Sequence, residues 1–515
     1  MTQSNRFKKA YDVIIVGGGL GGLSAALELV HQQVSVLLLE QHNITGGCAT
    51  SFVRGRYEFE LSLRAGAEWG DGKDGHTYGE VRQFFDAMGI HPEYIDIPAA
   101  YHILLSKYNV DFTMPFGIEN AVAAIDKLDP GQGPKVRNYL KLCEEIHDAL
   151  MYINASNMNP NPMVMATKYS SFLRASGYSV EEVNRSMGFS PLVKNVLCAY
   201  YPYLTRRLTA LGFIEWALVL YLFLRDGAQV INKTSHALAL EMEERIRALG
   251  GQVETNVRVA RLLTEKGTVI GVKTAEGEEI RAKRVLCNCS PNTVYTKMMK
   301  SEDVPERALK LAGVRNLGAS IFQVFLGLNA LPKDMGINSY NYLFSDDMDS
   351  NRIYPETKQW KVGSMVFATC PDAGIPNFTG PDRCQLVIGG LYDPDAMIGH
   401  TDPVAYLANK EQFADSLISL FEQRSGARIR SHIEEIEMIT PATYARYAGT
   451  PKGNVFGYEV NPTDGISIRM LSIAKEQFIP GLDFVGAYSR RSHGFCCCIM
   501  NGHETALDSI KKLGR

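Results

Sequence analysis

Residues 11–22 read YDVIIVGGGLGG, and this stretch decides the fold. Its first six residues form a short, β-branched apolar run typical of a buried parallel strand, and the glycines that follow have the spacing G-x-G-x-x-G. Gly17 permits a tight turn, Gly19 lets the backbone approach a pyrophosphate, and Gly22 lets a helix pack closely on the strand. The helix predicted over Leu23–Val30 offers free N–H groups and a partial positive charge to that pyrophosphate.

One dinucleotide site is predicted. A second strand, Val34–Leu39, ends at Glu40, which lies 23 positions after Gly17, where a ribose-binding carboxylate belongs. The stretch Gly70–Gly75 has the same glycine spacing, but no apolar strand precedes it and its two aspartates repel phosphate. We interpret it as a loop, so no second site for a nicotinamide cofactor is expected.

The segment after Glu40 distinguishes FAD from NAD. Gln41–Phe59 contains the pair Gly46-Gly47, then small and hydroxylated residues, then an aromatic strand. This segment resembles the flavin amine-oxidase superfamily, specifically its phytoene desaturase, carotenoid isomerase and retinol saturase branch, in which the double glycine passes along the FAD. The string EQHNITGGCATSF is most similar to retinol saturase. The resemblance implies a set of FAD-binding residues: Gly17, Gly19, Leu20, Gly21, Gly22, Glu40, Gln41, Gly46, Gly47, Cys48, Val257 and Gly486.

Three later blocks extend the resemblance over most of the chain. A helix predicted over His236–Leu249 leads into a hairpin region, and the resemblance places the backbone of Val257 against the adenine. Thr440–Glu459 is similar to the late T-P-x-T-x-x-R-Y block of this branch. Pro480–Gly502 is similar to the closing strand, glycine turn and helix that cover the isoalloxazine, with Gly486 at the turn.

The expected fold class is α/β, with a Rossmann-like FAD-binding domain interleaved with a mixed-sheet plus helical substrate domain. Tyr101–Phe112 and Ala319–Leu328 alternate as strands do, and they are assigned to the substrate-domain sheet. No long linker separates the two domains. The FAD-binding domain is predicted at residues 1–80, 226–300 and 470–515, and the substrate domain at residues 81–225 and 301–469.

The most apolar stretch is Leu208–Leu224, LTALGFIEWALVLYLFL. A membrane-spanning helix needs about 20 apolar residues, whereas this one has 17 and carries Glu215 near its middle. Two interpretations stay open. One is a buried helix lining the interior, and the other is a helix at a tunnel mouth that touches membrane lipid.

Composition excludes several classes of function. A formal net charge of −3 gives no reason to expect a nucleic-acid partner. The ten cysteines include no C-x-x-C pair, so no metal site is predicted, and a scattered set of this kind is typical of the reduced thiols of a cytoplasmic protein. No signal peptide is visible, and neither a Ser-His-Asp order nor a paired-carboxylate motif argues for a hydrolase. We therefore expect a cytoplasmic protein, and peripheral contact with a membrane is left open.

Arg64 and His493 are the candidates for residues near the reacting bond. The family pattern has a glycine and then a polar residue just beyond the aromatic strand, whereas this chain has Ser62 and Arg64. The terminal loop, Arg490–Phe495, departs as well. The alternatives are purely structural roles: Arg64 forms an ordinary salt bridge, and His493 is a loop residue held by its own hydrogen bonds. Cys496–Cys498 are expected at the start of the last helix, as buried thiols packed on the cofactor or as a catalytic cysteine.

The leading function is an FAD-dependent oxidoreductase that acts on a carbon–carbon double or single bond of a long apolar polyene or isoprenoid lipid. The reaction is saturation, isomerisation or desaturation, and the electron donor is left open. One alternative is a reductase or isomerase of an unsaturated fatty acid, steroid or other carboxylated substrate, held by Arg64 and the pair Arg490-Arg491. The other is a non-catalytic lipid-binding escort protein.

Overall fold

A computed structural model of the 515-residue chain describes residues 6–73, 77–156, 159–204, 206–397, 402–460, 464–465, 468–469 and 476–515. The strands of these residues are β1 (Ala10–Val16), β2 (Val36–Leu39), β3 (Ser51–Arg54), β4 (Tyr57–Glu60), β5 (Tyr94–Asp96), β6 (Tyr101–Leu105), β7 (Val110–Met114), β8 (Gln229–Ile231), β9 (Gln252–Glu254), β10 (Val259–Glu265), β11 (Thr268–Thr274), β12 (Glu279–Cys287), β13 (Ser320–Leu328), β14 (Asn341–Ser345), β15 (Val366–Thr369), β16 (Cys384–Tyr392), β17 (Ile433–Ile439) and β18 (Leu482–Phe484).

The α-helices of these residues are α1 (Leu20–His31), α2 (Glu80–Met88), α3 (Ile118–Leu128), α4 (Gly133–Ala155), α5 (Pro162–Lys168), α6 (Ser170–Ala175), α7 (Val180–Ser186), α8 (Pro191–Leu197), α9 (Phe213–Asp226), α10 (Ser235–Ala248), α11 (Pro291–Thr293), α12 (Glu306–Val314), α13 (Ser350–Glu356), α14 (Pro403–Ser425), α15 (Pro441–Tyr447) and α16 (Phe495–Lys512).

The first sheet is built around β1, which lies between β2 and β12 and runs parallel to both. Strand β9 continues the parallel part beyond β2, β18 pairs in parallel with β12, and β10 and β11 form an antiparallel hairpin at the other edge. Successive side chains of β1 point to opposite faces of the sheet. Val13 and Ile15 pack on the side of α1, α10 and α16, whereas Ile14 and Val16 pack on the side of α12. Both faces are covered, which explains the unbroken apolar run.

The second sheet has the order β17-β13-β16-β15-β14-β6-β7. Its neighbours are antiparallel except for β14 and β6, which are parallel, so the sheet is mixed as predicted. Phe322, Val324 and Leu326 of β13 pack with residues of α14 in one core. The two short sheets, β3-β4 and β5-β8, lie outside these two layers.

Helices α3 to α9 form a helical layer, most of which shares one core with the second sheet, for example with Ile103 of β6 and Leu343 of β14. Helix α9 is largely buried in this core. Helix α9 begins at Phe213, five residues later than the start of the predicted apolar stretch at Leu208. Val219 is the exception to its burial, with 37% of its surface exposed. Among the described residues, no helix is both long and apolar enough to cross a membrane.

One segment differs from the sequence-based expectation. Tyr101–Phe112 was expected to be a strand, but it folds as the hairpin β6–β7 with a 3₁₀ turn at Ser106–Tyr108, where Asn109 takes a left-handed φ of 49°. In the loop predicted at Gly70–Gly75, Asp71 bridges to Tyr78, and residues 74–75 lie outside the described residues.

The two large sheets draw their strands from interleaved parts of the chain. The first sheet takes strands from residues 10–39, 252–287 and 482–484, and the second takes strands from residues 101–114 and 320–439. The domain boundaries given above stay a prediction.

Candidate functional site

A cavity of about 1880 Å³ extends from the first sheet to the second. Most of the residues predicted to hold the cofactor or to react line it, and they are Gly17, Gly19, Leu20, Gly21, Glu40, Gln41, Gly46, Gly47, Cys48, Arg64, Val257 and His493. Gly22 and Gly486 lie behind the wall rather than in it, where they allow close backbone contacts.

The glycine-rich turn forms the start of the cavity wall. A Cβ atom at Gly22 would lie 2.1 Å from the carbonyl oxygen of Gly17, so only glycine allows helix α1 to approach the turn this closely. Gly19 is the N-cap of α1, with no side-chain cap and no acidic residue in the first turn. The amino terminus of α1 is therefore free to bind an anion such as a pyrophosphate. Gly19 also bridges to Gly46, which brings the double-glycine segment alongside.

Glu40 closes the nucleotide part of the cavity at the end of β2. Its Oε2 accepts a hydrogen bond of 2.6 Å from the Gly18 N–H, and its Oε1 accepts one of 2.8 Å from the His42 N–H. A carboxylate has about four acceptor sites, so further lone pairs are free for ribose hydroxyls. The Val257 N–H donates to the Glu40 carbonyl at 2.8 Å and holds the loop after β9 against this strand.

Asn288 was not singled out from the sequence, although it occupies a central position. It follows β12, its side-chain amide donates to the Gly17 carbonyl at 3.4 Å, and a Cβ atom at Gly486 would lie 2.1 Å from its Oδ1. Asn501 of α16 donates to the Gly486 carbonyl at 2.8 Å. The sequence could have indicated Asn288 through its position at the carboxyl end of a strand parallel to β1, where open α/β sheets bind their ligands.

The far half of the cavity is apolar and aromatic. Tyr200, Trp216, Phe223, Leu343 and Phe367 contribute to its wall. The polar atoms of two of these turn away from it, because Tyr200 Oη donates to the Ala100 carbonyl at 3.0 Å and Trp216 Nε1 donates to Tyr139 Oη at 2.8 Å. The wall thus offers a long hydrocarbon surface with few competing hydrogen bonds.

Arg64 lies in the wall among three tyrosines. Its Nη2 donates a long hydrogen bond of 3.5 Å to the Leu61 carbonyl, and its Nη1 is buried without a partner. Tyr340 Oη donates to the Arg64 carbonyl at 2.7 Å. The salt bridge considered as an alternative for Arg64 is not formed with any described residue.

His493 is held on both ring nitrogens. Its Nε2 lies 3.1 Å from the Tyr203 carbonyl oxygen, and its Nδ1 lies 3.1 Å from Ser492 Oγ. A carbonyl only accepts, so Nε2 carries the proton and Nδ1 accepts from the serine hydroxyl. Burial lowers the pKa of His493 to about 4, which leaves the imidazole neutral at neutral pH. It also packs edge-on against Phe456.

The three consecutive cysteines lie in the first turn of α16, as expected from the sequence, and line the cavity. Burial raises the pKa of Cys497 to about 12 and raises those of Cys496 and Cys498 as well. Burial likewise raises the pKa of Cys48 to about 11. Thiols with raised pKa values are poor nucleophiles, so the geometry favours their packing role over a catalytic one.

The pair Arg490-Arg491 does not line the cavity, which corrects the expectation that it holds a substrate carboxylate. Arg491 donates to Glu80 at 2.6 Å and to Glu504 at 2.6 Å. Arg490 donates to Asp508 at 2.5 Å. These acids already neutralise both guanidinium groups.

Comparison with known proteins agrees with this geometry. The family described as NAD(P)-binding Rossmann-like domain matches residues 15–88. The all-trans-retinol 13,14-reductase of Danio rerio is 22% identical over 529 residues, which cover 94% of this chain and 84% of that protein. The chloroplastic prolycopene isomerase of Arabidopsis thaliana is 22% identical over 490 residues, which cover 88% of this chain and 75% of that protein.

The solved structures extend the comparison to the fold. A double mutant of putrescine oxidase has a TM-score of 0.65 at 15% identity and covers 98% of this chain and 99% of its own. An oxidoreductase from Methanosarcina mazei has a TM-score of 0.63 at 14% identity, with coverages of 96% and 99%. Over most of its length the chain is therefore similar in sequence to a retinol reductase and a prolycopene isomerase, and it shares its fold with putrescine oxidase. The Rossmann-like match includes the glycine turn and Glu40, and together with these structural neighbours it indicates a dinucleotide or flavin cofactor.

Proposed function

We propose that this chain is an FAD-dependent oxidoreductase that acts on a carbon–carbon bond of a long apolar polyene or isoprenoid lipid, by saturation, isomerisation or desaturation. The observation that carries the proposal is the continuity of one cavity from the glycine turn to an aromatic, apolar half. Its volume of about 1880 Å³ exceeds the roughly 300–1,000 Å³ of a pocket for one drug-sized ligand. A dinucleotide and a long lipid together account for this size.

The residues present fit FAD. The open amino terminus of α1 suits the pyrophosphate, Glu40 suits the ribose, and the segment Gly46–Cys48 continues the wall beyond the dinucleotide turn. Ala487 and Tyr488 after β18 and the cysteines of α16 extend the same wall toward the apolar half. Bound FAD supplies the hydride chemistry, and the protein supplies binding, orientation and exclusion of water.

The apolar half of the cavity positions the polyene substrate. Tyr200 and Trp216 keep their polar atoms in internal hydrogen bonds, so a polyene displaces water from these two side chains without leaving their donors unpaired. We place Arg64 and His493 near the reacting bond, since both line the cavity. His493 is assigned a positioning role, because its neutral ring holds the loop of Ser492 against the Tyr203 carbonyl.

The named relatives include a reductase and an isomerase, so the reaction type is tested directly. The visible spectrum of the purified, oxygen-free protein is followed while a polyene such as all-trans-retinol or a carotenoid is added. Bleaching of the oxidised flavin band without a reductant identifies a desaturase. Product that forms only after the flavin has been reduced identifies a saturase or an isomerase, and the mass of the product separates the two.

The escort-protein alternative predicts a colourless preparation that releases no flavin on denaturation. That result would remove the proposed function. A flavin-containing protein that neither binds nor converts any polyene would limit the proposal to the cofactor.

We also propose a cytoplasmic location with peripheral contact to a membrane, while the electron donor is left open. All ten cysteines are free thiols, as is usual in a reducing compartment. Val219 of α9 is exposed at the surface and also lines the cavity, so α9 borders an opening through which a lipid can enter. Sedimentation with lipid vesicles, compared between the native protein and Val219→Glu, tests this contact.

A further inference from the structure

Arg64 is a half-buried cation for which the described residues provide no counter-charge. Within the part of the chain that the structure describes, its Nη2 donates one hydrogen bond, of 3.5 Å, to the Leu61 carbonyl, and the buried atom Nη1 has no partner. Among the described residues, no Asp or Glu forms an ion pair with it. A buried guanidinium nitrogen that lacks a hydrogen-bond partner is costly, so this arrangement points to an anion that is supplied by a ligand.

The neighbouring carboxylate cannot serve as the partner. Glu60, four residues earlier, accepts hydrogen bonds from the backbone N–H groups of Ser62 and Leu63 through Oε1. It accepts from the Ser235 N–H through Oε2 and from the Ser235 hydroxyl through Oε1. Four donors therefore occupy this buried acid, and Arg64 is not among them.

The surrounding tyrosines cannot supply the negative charge either. Burial raises the pKa values of Tyr203, Tyr340 and Tyr444, and the nearby charge of Arg64 opposes that rise without cancelling it. All three phenols stay protonated at neutral pH. Two of them already donate elsewhere, Tyr340 to the Arg64 carbonyl and Tyr444 to Gln323 Oε1 at 2.6 Å.

The same wall offers a second unmatched donor rather than an acceptor. Asn341 of β14 lines the cavity, and its Oδ1 accepts from Thr369 Oγ1 at 2.9 Å. Its Nδ2 is buried without a partner. A ligand group that only accepts hydrogen bonds complements such a wall, and a carboxylate is such a group.

We propose that Arg64 binds the carboxylate of the substrate, so that the lipid of this cavity is a polyene or other unsaturated acid rather than a neutral hydrocarbon or alcohol. This inference rests on the proposed function and specifies its substrate class. A guanidinium binds a carboxylate through two parallel N–H···O bonds, which fixes one end of the lipid. The hydrocarbon then lies along the aromatic half, where Trp216 and Phe367 line the wall.

The experiment compares all-trans-retinoic acid with all-trans-retinol, which share their hydrocarbon and differ in the head group. Binding to the flavin-containing protein at pH 8 is followed through quenching of tryptophan fluorescence, since Trp216 lines the cavity. The variants are Arg64→Met, which removes the charge, and Arg64→Lys, which keeps the charge but cannot form two parallel hydrogen bonds to a carboxylate. Arg54→Met is the matched control, because Arg54 also lines the cavity but is paired with Glu437 at 2.8 Å.

We expect the native protein to bind the acid more tightly than the alcohol by about 10- to 100-fold, the size of a charge-assisted hydrogen-bonded pair. Arg64→Met should remove this preference while leaving the alcohol affinity unchanged, Arg64→Lys should retain part of it, and Arg54→Met should retain all of it. Should Arg64→Met fail to fold, the native protein and Arg64→Lys still decide the question.

Three outcomes would overturn the inference. In the first, a flavin-containing native protein binds the acid and the alcohol equally, and the proposed function survives. In the second, Arg64→Met loses flavin or shifts its reduction potential while the acid preference persists, which assigns the cation to the cofactor instead. In the third, the native protein is colourless or binds neither retinoid, and the proposed function fails together with the inference.

Discussion

Replacing Glu68 with glutamine should stabilise the protein, and increasingly so as the pH rises. Glu68 lies in the loop between β4 and α2, and burial together with the nearby Glu80 raises its pKa from 4.5 to about 7, an effect that Arg491 partly opposes. A folded-state pKa above the unfolded one means that the folded protein holds the proton more tightly. Below pH 4.5 both states are neutral and the acid costs nothing, whereas above pH 7 the buried carboxylate carries its full cost.

The gap between 4.5 and about 7 corresponds to a loss of about 3 kcal/mol in the free energy of unfolding as the pH rises through that window. Glutamine keeps the shape and cannot ionise. The gain from Glu68→Gln should therefore grow from near zero at pH 4.5 to about 3 kcal/mol at pH 8.

Urea unfolding of the native protein and of Glu68→Gln between pH 4.5 and pH 8, with excess flavin throughout, measures this difference. Glu276→Gln is the control, because Glu276 is exposed in the turn between β11 and β12. A gain for Glu68→Gln that is flat across this range, or that shrinks as the pH rises, would refute the reasoning.

Three further predictions concern the cofactor and the cavity. Gly22→Ala should lose flavin and about 1–3 kcal/mol of stability, because the added Cβ would lie 2.1 Å from the Gly17 carbonyl oxygen. The flavin-to-protein absorbance ratio and the melting temperature measure these losses, and the control Gly313→Ala should change neither, because nothing lies within 4 Å of its Cβ position. Glu40→Ala should weaken flavin affinity about tenfold or more, measured by flavin fluorescence during dilution. His493→Gln should make the free energy of unfolding less sensitive to acid. The pKa of His493 is lowered from 6.5 to about 4 in the folded protein, so the native protein loses stability as the pH falls through that range. Unfolding curves that shift equally between pH 7 and pH 4.5 for the native protein and for His493→Gln would contradict this prediction.

The cofactor half of the fold was predictable because its signals are local. Strand β1, the glycine turn and Glu40 lie within about thirty residues, and each residue type there has one conformational or chemical reason to be present. The boundary of α1 was missed by three residues. Leu20, Gly21 and Gly22 are already helical, whereas the apolar periodicity begins only at Leu23.

The hairpin β6–β7 shows why other parts were less visible. Its turn contains no glycine or proline, and the reversal depends on Asn109 adopting a left-handed φ of 49°. Asparagine tolerates that conformation better than most residues, but a single asparagine between two apolar runs is a weak signal. The continuous alternation of Tyr101–Phe112 therefore resembles one strand.

The environment of the charged candidates depends on contacts that no local pattern contains. Arg490 and Arg491 were grouped with Arg64 as carboxylate-binding residues, but Arg491 is neutralised partly by Glu80, 411 positions away in the sequence. Arg64, by contrast, is not neutralised by its neighbours. Three tyrosines from distant segments lie near it, and none of them is negatively charged at neutral pH; they are Tyr203, Tyr340 and Tyr444. Whether an arginine is paired is decided by the tertiary structure, and the sequence leaves that choice open.

Two of the departures from the family pattern, Ser62 and Arg64, line the cavity close to the double-glycine segment. Ser62, which stands where the pattern has glycine, donates its hydroxyl to the Cys48 carbonyl at 2.6 Å and so ties the double-glycine segment to the strand that leads to Arg64. A glycine there could not form that bond. Two residues further on, Arg64 enters the cavity wall without a partner. These two residues therefore leave the glycine turn and Glu40 unchanged and alter another part of the cavity wall, which agrees with our proposal that Arg64 acts on the lipid head group rather than on the cofactor.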